Sequence, residues 1–302
     1  MATGRGTSGQ TKRDRREEAR ERARIMREEA AKKAKRRRVL VQSSVIVGVV
    51  AVLAIIGVIV FSSVSAANNV ANPKNMLSGG ILLTAADKAV PTPAIAKGAQ
   101  PTPTKQTLDG STAHIQIWLD YQCPYCNQFE TTNSPQMKQW MADGRATLEI
   151  HPVAILDSAS NKNYSTRAAA AAACVAEYDP NKYFDVNSAL FANQPDEQTG
   201  GGLTNAKILS VFKSAGVSSN NITQCVNDQR FAKFITARTA SAVGDSQLRG
   251  PNGFGTPTVF VNGQRYSGTF TDASQFASFV QTAVKDAGSS GSYTFPTAKP
   301  SK

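Results

Sequence analysis

Two cysteines separated by two residues constrain this chain more than any other feature of its sequence. They stand in the run Cys123-Pro124-Tyr125-Cys126. A strand-like stretch, Ala113 to Leu119, lies just before the run, and a helical pattern follows it. Two thiols at this spacing allow a disulfide to form and break reversibly, and few structural roles need such a pair. The sequence therefore predicts redox-active cysteines at the start of a helix.

A second motif lies more than a hundred residues further along. Gly255-Thr256-Pro257-Thr258 precedes the apolar run Val259-Phe260-Val261, which is rich in β-branched residues. The pair Asn262-Gly263 follows directly and is a strong signal for a two-residue hairpin turn. The motif therefore predicts a buried strand that enters from a Thr-Pro turn and leaves through a hairpin.

Positive charge is concentrated at the N-terminus. The 302 residues carry a formal net charge of +12, and residues 1–38 hold 15 Lys and Arg against 6 Asp and Glu. The rest of the chain holds 19 against 16, so it is close to neutral. A basic surface for nucleic acid is therefore not indicated in the globular part, and no nucleic-acid partner is expected.

An uncharged apolar segment follows the basic one. Val39 to Phe61 comprises 23 residues, enough to span a ~30 Å hydrocarbon core at ~1.5 Å per residue. Lys and Arg cluster at its N-terminal end, which marks the cytoplasmic flank. The sequence predicts a single-pass protein of the cell membrane, with residues 1–38 in the cytoplasm and the C-terminal domain extracytoplasmic.

A cleaved signal peptide is the alternative interpretation of this segment. Val64-Ser65-Ala66 resembles a small-residue cleavage site. The apolar run is longer than the ~7 to 15 residues usual in such peptides, and the region before it is long. These lengths favour a membrane anchor.

Periodicity predicts the remaining elements. A strand at Ala113–Leu119, a helix at about Cys123–Met141 and a strand at Ala146–Val153 form a βαβ unit with a parallel strand pair. A helical section follows, and the chain then returns to a hairpin and a helix at Asp272–Asp286. The predicted helices of that section are Ser165–Glu177, Lys182–Phe191, Asn205–Ala215 and Ile222–Ala242.

This order of elements resembles the DsbA-like thiol–disulfide oxidoreductases of the thioredoxin superfamily, in particular the membrane-anchored actinobacterial type. The resemblance rests on Asp120-Tyr121-Gln122-Cys123-Pro124-Tyr125-Cys126 and on Gly255-Thr256-Pro257-Thr258. It implies an α/β thioredoxin fold with an inserted helical domain, preceded by one transmembrane helix. The expected divisions are a basic segment (1–38), the membrane helix (39–61), a stalk with one short strand (62–110), the first part of the thioredoxin fold (111–160), the insertion (161–247), the second part (248–287) and a disordered tail (288–302).

The first cysteine is the expected nucleophile. At the N-terminal end of its helix, Cys123 would face unpaired N–H groups that favour a thiolate, the form that attacks disulfides. Cys126, one turn further along, would be the resolving thiol. Pro124 fits the first helical position, where a missing N–H costs little, and Tyr125 completes the active-site dipeptide.

The resemblance also implies a role for the second motif. Thr256-Pro257 resembles the cis-proline loop of the family, which faces the cysteine pair and offers the Thr256 backbone to an extended substrate. Members of the family often carry a buried carboxylate six residues before the first cysteine, where this chain has Ile117. Whether Asp120 fills that role stays open at this stage.

Two further cysteines remain, Cys174 and Cys225. An even cysteine count in an extracytoplasmic domain suggests two pairs, so these two are predicted to form a structural disulfide in the helical insertion. The alternative is two independent buried thiols.

No metal site and no cofactor are expected. A metal held by Cys123 and Cys126 would need a second closely spaced pair of Cys or His ligands, and the other cysteines are far apart in sequence. His114 and His151 fall in predicted strands, where a hydrogen-bonded imidazole is the simpler interpretation. Trp118 is expected to pack in the core.

The leading functional hypothesis is a membrane-tethered enzyme that oxidises the thiols of exported, unfolded proteins. A membrane redox partner, such as a VKOR- or DsbB-like protein, would then reoxidise the cysteine pair. Two alternatives stay open, a disulfide reductase or isomerase that uses the same cysteines and a thioredoxin-like module that binds partners without turnover. The intact cysteine pair argues against the binding module, because a pure binder has no use for a second thiol.

Overall fold

A computed structural model of the chain describes residues 71–157, 162–197, 201–288 and 292–294. The predicted basic segment and the predicted membrane helix at 39–61 lie outside these residues. Within them, no helix combines the length and the apolar character needed to cross a bilayer.

The described strands and helices form an α/β fold, with a run of helices between β5 and β6. The strands are β1 Ile81–Ala85, β2 Lys88–Ala89, β3 Lys105–Thr107, β4 Ala113–Leu119, β5 Ala146–Pro152, β6 Thr258–Val261, β7 Gln264–Arg265 and β8 Ser292–Thr294. The helices are α1 Pro124–Ala142, α2 Tyr164–Tyr178, α3 Tyr183–Ala192, α4 Asn205–Ser214, α5 Asn220–Asn227, α6 Ala232–Gly244 and α7 Ala273–Ala287, with a 3-10 turn at Pro180–Lys182.

The main sheet has the order β2-β1-β5-β4-β6-β7. β4 pairs parallel with β5 and antiparallel with β6. Helix α1 makes the crossover that a parallel pair requires. β4 has a strand on each side, and all seven of its residues are buried. It therefore forms the centre of the fold and carries the chain directly into the Cys-x-x-Cys turn.

The N-terminal boundary of the domain differs from the prediction. Part of the expected stalk belongs to the main sheet, because β1 pairs antiparallel with β5 and aligns Ile81 with Ile150. Met76, Ile81 and Leu83 are fully buried. The Pro-rich segment after β2 is also packed against the domain, with Ile95 buried. The short apolar stretch of β1 looks like part of a linker in sequence, because its partner strand β5 lies about seventy residues away.

Two smaller differences concern the helical insertion and the tail. The helix expected over Ile222–Ala242 is divided into α5 and α6, because Gln229 adopts a left-handed conformation with φ of 49°. Within the tail expected to be disordered, β8 pairs antiparallel with β3.

The insertion consists of α2 to α6 and is joined internally by a disulfide. Cys174 of α2 and Cys225 of α5 are bonded, with an S–S distance of 1.99 Å and a Cα–Cα distance of 5.9 Å. The alanine run of α2, residues 168–173, is fully buried. Its small side chains allow α5 and α6 to pack closely against α2.

Candidate active site at the N-terminus of helix α1

The Cys-x-x-Cys turn joins the end of β4 to the start of α1. Cys123 is the N-cap residue, with φ of −73° and ψ of 119°, and Pro124 occupies the first helical turn. No side chain caps this helix end, so its first N–H groups are available to a charge at Cys123. Cys126 lies one turn further along. Both cysteines are free thiols, and 4% and 1% of their respective surfaces are exposed.

The surroundings separate the acidities of the two thiols. A hydrogen bond with Cys126 lowers the pKa of Cys123 to about 7, and contacts with Thr256 and with the N–H groups of Cys126 and Tyr125 act in the same direction against burial. Burial raises the pKa of Cys126 well above its ordinary value. Near neutral pH, Cys123 is therefore the thiol that ionises, and Cys126 keeps its proton.

The Thr-Pro motif faces the nucleophile across the turn. The Thr256–Pro257 bond is cis. The Cys123 Sγ donates a hydrogen bond to the carbonyl oxygen of Thr256 at 3.2 Å. The structure thus brings together residues that are separated by more than 130 positions in sequence. Pro124 and Tyr125 lie on the outer surface of this site, and 60% of the Tyr125 surface is exposed.

Asp120 links the turn to the loop that follows β5. Its carboxylate accepts hydrogen bonds from the backbone N–H of Gln122 at 2.9 Å and from that of Leu156 at 3.0 Å. Its own N–H points at the Cys126 Sγ, 3.5 Å away. Burial raises the pKa of Asp120 to about 6. Ile117, in contrast, lies fully buried in the apolar core.

A second buried carboxylate, Glu149 of β5, has no signal in the sequence. It accepts hydrogen bonds from the Thr104 hydroxyl at 2.6 Å, from Gln116 Nε2 at 2.8 Å and from the Ser78 hydroxyl. His151 Nε2 lies 3.7 Å from its second oxygen. Burial raises the pKa of Glu149, but His151 and the Ser78 and Thr104 hydroxyls outweigh burial and lower the pKa to about 2. Glu149 therefore holds an ionised, fully bonded position in the sheet.

The two histidines and Trp118, considered above from the sequence, make packing and hydrogen-bond contacts within the sheet. His114 contacts the Thr147 hydroxyl at 2.9 Å and the carbonyl of Thr107 at 3.0 Å. His151 stacks on Trp118 with a ring-centroid distance of 4.3 Å. Within the described ranges, no group of three or more His, Cys, Asp or Glu residues is gathered as a metal site would require.

Two of the predicted site residues lie apart from the cysteine turn. The disulfide between Cys174 and Cys225 belongs to the helical insertion.

Sequence reasoning missed the segment at the end of α3, which reaches the turn directly: Gln122 Nε2 donates to the carbonyl of Pro195 at 3.2 Å. No local pattern marks this contact, because 73 residues separate its two partners.

Comparison with known proteins agrees with this architecture. DsbG, a disulfide bond oxidoreductase from Mycobacterium tuberculosis solved in its reduced form, is 28% identical, with a TM-score of 0.50 over 59% of this chain and 84% of that one. DsbA from the same organism, also reduced, is 29% identical, with a TM-score of 0.48 over 58% of this chain and 87% of that one. The serine/threonine-protein kinase PknE of M. tuberculosis is 33% identical over 150 residues.

The match to PknE is partial. It includes 48% of this chain and 26% of the kinase, so the chain spans about a quarter of the length of the curated relatives it matches. The structural similarity to DsbG supports the prediction of a DsbA-like oxidoreductase. The sequence model described as thioredoxin matches residues 110–282, more than half of the chain, and this range includes the cysteine turn and the cis-proline loop. The chain belongs to the thioredoxin family.

Proposed function

We propose that the chain is a membrane-tethered, extracytoplasmic thiol–disulfide oxidoreductase that oxidises the thiols of exported proteins. One observation carries the exchange chemistry of this proposal: the surroundings lower the pKa of a single thiol, Cys123, at a helix N-terminus beside the cis-proline loop, while its partner Cys126 is buried and keeps its proton. Redox exchange uses this asymmetry, because Cys123 exchanges with the substrate, while Cys126 leaves when the mixed disulfide forms and can attack that disulfide to release the substrate again.

The reaction begins from the Cys123–Cys126 disulfide. A substrate thiolate attacks the Cys123 Sγ, so a mixed disulfide forms and Cys126 leaves with the electron pair and takes up a proton. A second substrate thiolate then attacks the substrate sulfur of the mixed disulfide, and Cys123 leaves as a thiolate. The substrate has lost two electrons to the cysteine pair, and a membrane redox partner accepts them when it restores the disulfide.

Substrate recognition would use the main chain. The Thr256 carbonyl already accepts a hydrogen bond from Cys123, and an extended substrate chain can pair with backbone at this position. The exposed ring of Tyr125 adds apolar surface beside it. Recognition of backbone accounts for how one enzyme would act on many unfolded proteins.

Two features support a location outside the cytoplasm. The uncharged segment 39–61 follows a basic one, which favours a cytoplasmic N-terminus. The Cys174–Cys225 disulfide is of a kind that persists in oxidising compartments. After intact cells are treated with a membrane-impermeant reductant, a membrane-impermeant thiol reagent should label Cys123, and protection of this thiol until the cells are lysed would contradict the location.

A disulfide reductase is the second candidate, and the acidity of Cys123 favours it. The pKa of about 7 is close to the ~7 of thioredoxin, a reductant, and far from the ~3.5 of strongly oxidising DsbA. The reduction potential of the full-length protein separates the two directions. A value near about −120 mV supports the oxidase, and one near about −270 mV supports the reductase.

Trapping tests the exchange chemistry itself. In cells, Cys126→Ser should accumulate mixed disulfides through Cys123, because the resolving thiol is absent. The double variant that carries both Cys123→Ser and Cys126→Ser is the matched control and should form no mixed disulfides. If Cys126→Ser gives no adduct in cells, thiol exchange with exported proteins is wrong and a non-catalytic binding module takes its place.

A further inference from the structure

We propose that Gln194, just after the end of α3 in the helical insertion, is a positioning residue for the Cys123 thiol. The inference rests on the proposed function and deepens it, because it identifies how the insertion takes part in the chemistry. Gln194 does not touch the sulfur. It acts through the backbone of the turn that carries the nucleophile.

The contacts of the Gln194 amide converge on that turn. Gln194 Nε2 donates hydrogen bonds to the carbonyl oxygens of Tyr121 and Cys123, each at 3.0 Å. Its Oε1 accepts a hydrogen bond from Asn127 Nδ2 at 3.1 Å. Asn127 also donates to the carbonyl of Phe191 at 3.2 Å. Hydrogen bonds are therefore donated in both directions between the end of α3 and the segment that leads into and includes the first turn of α1.

The chemistry of this position requires a primary amide. One nitrogen supplies both donors, and the oxygen on the same carbon supplies the acceptor, so all three contacts use one planar group. Reversing the amide would place its oxygen against two carbonyl oxygens. No aliphatic side chain supplies these bonds, and a carboxylate would repel both carbonyls.

These bonds bear on the nucleophile through geometry. The Tyr121 carbonyl belongs to the peptide bond before Gln122, and the Cys123 carbonyl to the peptide bond after the N-cap residue, so fixing both of them fixes the peptide planes at the two ends of the Gln122–Cys123 segment. The N–H groups of Tyr125 and Cys126, which favour the Cys123 thiolate, then keep their aim at the sulfur. Gln122 adds a third link between the turn and the insertion, to Pro195.

The test measures the pH dependence of Cys123 alkylation in the reduced full-length protein. Gln194→Leu removes the donors at similar size, and Gln194→Glu also places a negative charge against the two carbonyls. The alkylation midpoint should rise in both variants and rise more in Gln194→Glu. A rise of about one pH unit from about 7 lowers the thiolate fraction at pH 7 about fivefold, with an equal fall in alkylation rate.

Asn193→Ala is the matched control. This adjacent side chain is exposed and bonds only the carbonyl of Ala189 in its own helix, so its removal should leave the midpoint unchanged. The melting temperature separates a positioning role from a structural one. If both Gln194 variants melt at a lower temperature but keep the wild-type midpoint, Gln194 is merely structural and the inference is overturned.

The inference is also overturned if both Gln194 variants keep the wild-type alkylation midpoint and the wild-type melting temperature. Gln194 is only partly buried, so both substitutions are compatible with a folded protein. Failure of the proposed function gives a different result. In that case Cys126→Ser traps no substrate in cells, whereas the alkylation midpoint of the Gln194 variants still reports whether the amide positions the thiol.

Discussion

Two thiols of the same chemical type, one helical turn apart, acquire opposite properties from their surroundings. Cys123 lies at the helix end, where hydrogen-bond donors favour its anion, and Cys126 lies against the apolar core, where a charge has no solvation. The difference needs no charged side chain at the site. It arises from the hydrogen bond between the two thiols, from the contact with Thr256, from the backbone N–H groups at the start of α1 and from the burial of Cys126.

Alkylation of the reduced protein checks this difference in acidity. The pKa of Cys123 lies below its ordinary value of 9.0, at about 7, so the reaction rate should rise tenfold for each pH unit below about 7 and then level off. Cys126 should stay unmodified in the same range, because burial raises its pKa and blocks access. Mass spectrometry after a timed quench locates the adduct. A Cys123→Ser variant that is alkylated as fast as the wild type would contradict the assignment.

The buried Glu149 should make the folded state sensitive to acid. Its folded pKa of about 2 lies below its ordinary value of 4.5, so its contribution is complete above pH 4.5 and is lost as the pH falls towards 2. Glu149→Gln should lower the free energy of unfolding at pH 7 by about 3 kcal/mol and flatten its decrease below pH 4.5. Urea denaturation at several pH values measures both effects.

Asp185→Asn is the control for this substitution. Asp185 makes only long, half-exposed ion pairs with Lys138 and Lys182, so its loss should cost less than about 1 kcal/mol. Equal effects of the two substitutions at pH 7 would show that the bonded, buried position of Glu149 contributes nothing special.

At the scale of elements, the side chain of one turn residue, Asn262, links the β6–β7 hairpin turn to the start of β4 and adds to the β4–β6 strand pairing. Asn262 and Gly263 form the turn with φ of 47° and 80°, the left-handed conformation expected of this pair. The Asn262 Oδ1 accepts a hydrogen bond from the His114 N–H at 2.8 Å, and its Nδ2 donates to the carbonyl of Thr112 at 3.2 Å. The turn residue thus extends the β4–β6 ladder beyond the last strand pair.

Asn262→Gly separates turn conformation from side-chain bonding. Glycine accepts the left-handed backbone, so the loss of stability reports the missing hydrogen bonds, the buried His114 N–H left unpaired and the greater conformational freedom of the unfolded chain. The free energy of unfolding should fall by about 1–3 kcal/mol in urea denaturation. Wild-type stability in this variant would mean that the side-chain bonds do not contribute.

At the scale of the whole molecule, the insertion forms one wall of the site. The Cys174–Cys225 disulfide joins α2 to α5 and so encloses most of the insertion in one covalent loop. The two cysteines are 51 residues apart, so the bond excludes many extended conformations of the unfolded chain. Replacing both with Ala should lower the free energy of unfolding by up to about 4 kcal/mol in guanidinium denaturation.

The matched control for the disulfide is the double serine variant of Cys123 and Cys126. Cys123 and Cys126 form no disulfide in the structure, so this variant and the wild type with these two thiols reduced and the Cys174–Cys225 bond intact should unfold at similar denaturant concentrations. If removal of Cys174 and Cys225 leaves stability unchanged, the bond does not constrain the unfolded insertion.

Local patterns determined much of this protein. The bounds of β4 and β6 and the conformation of the 262–263 turn follow from residues a few positions apart, because burial periodicity and backbone preference act over that range. The thioredoxin-like α/β class and the position of the cysteines at a helix start were likewise readable in the chain.

Tertiary structure alone decided the rest. Three contacts of this kind join residues that lie about 30 to 75 positions apart: the pairing of β1 with β5, the three hydrogen-bond donors to Glu149, and the hydrogen bonds from Gln194 to the cysteine turn. A glutamine or a short apolar stretch carries no local mark of its partner, because hydrogen bonding and burial depend on what packing brings near it. The sequence thus supplied the reactive sulfur, and the folded chain supplied the surroundings that set its acidity.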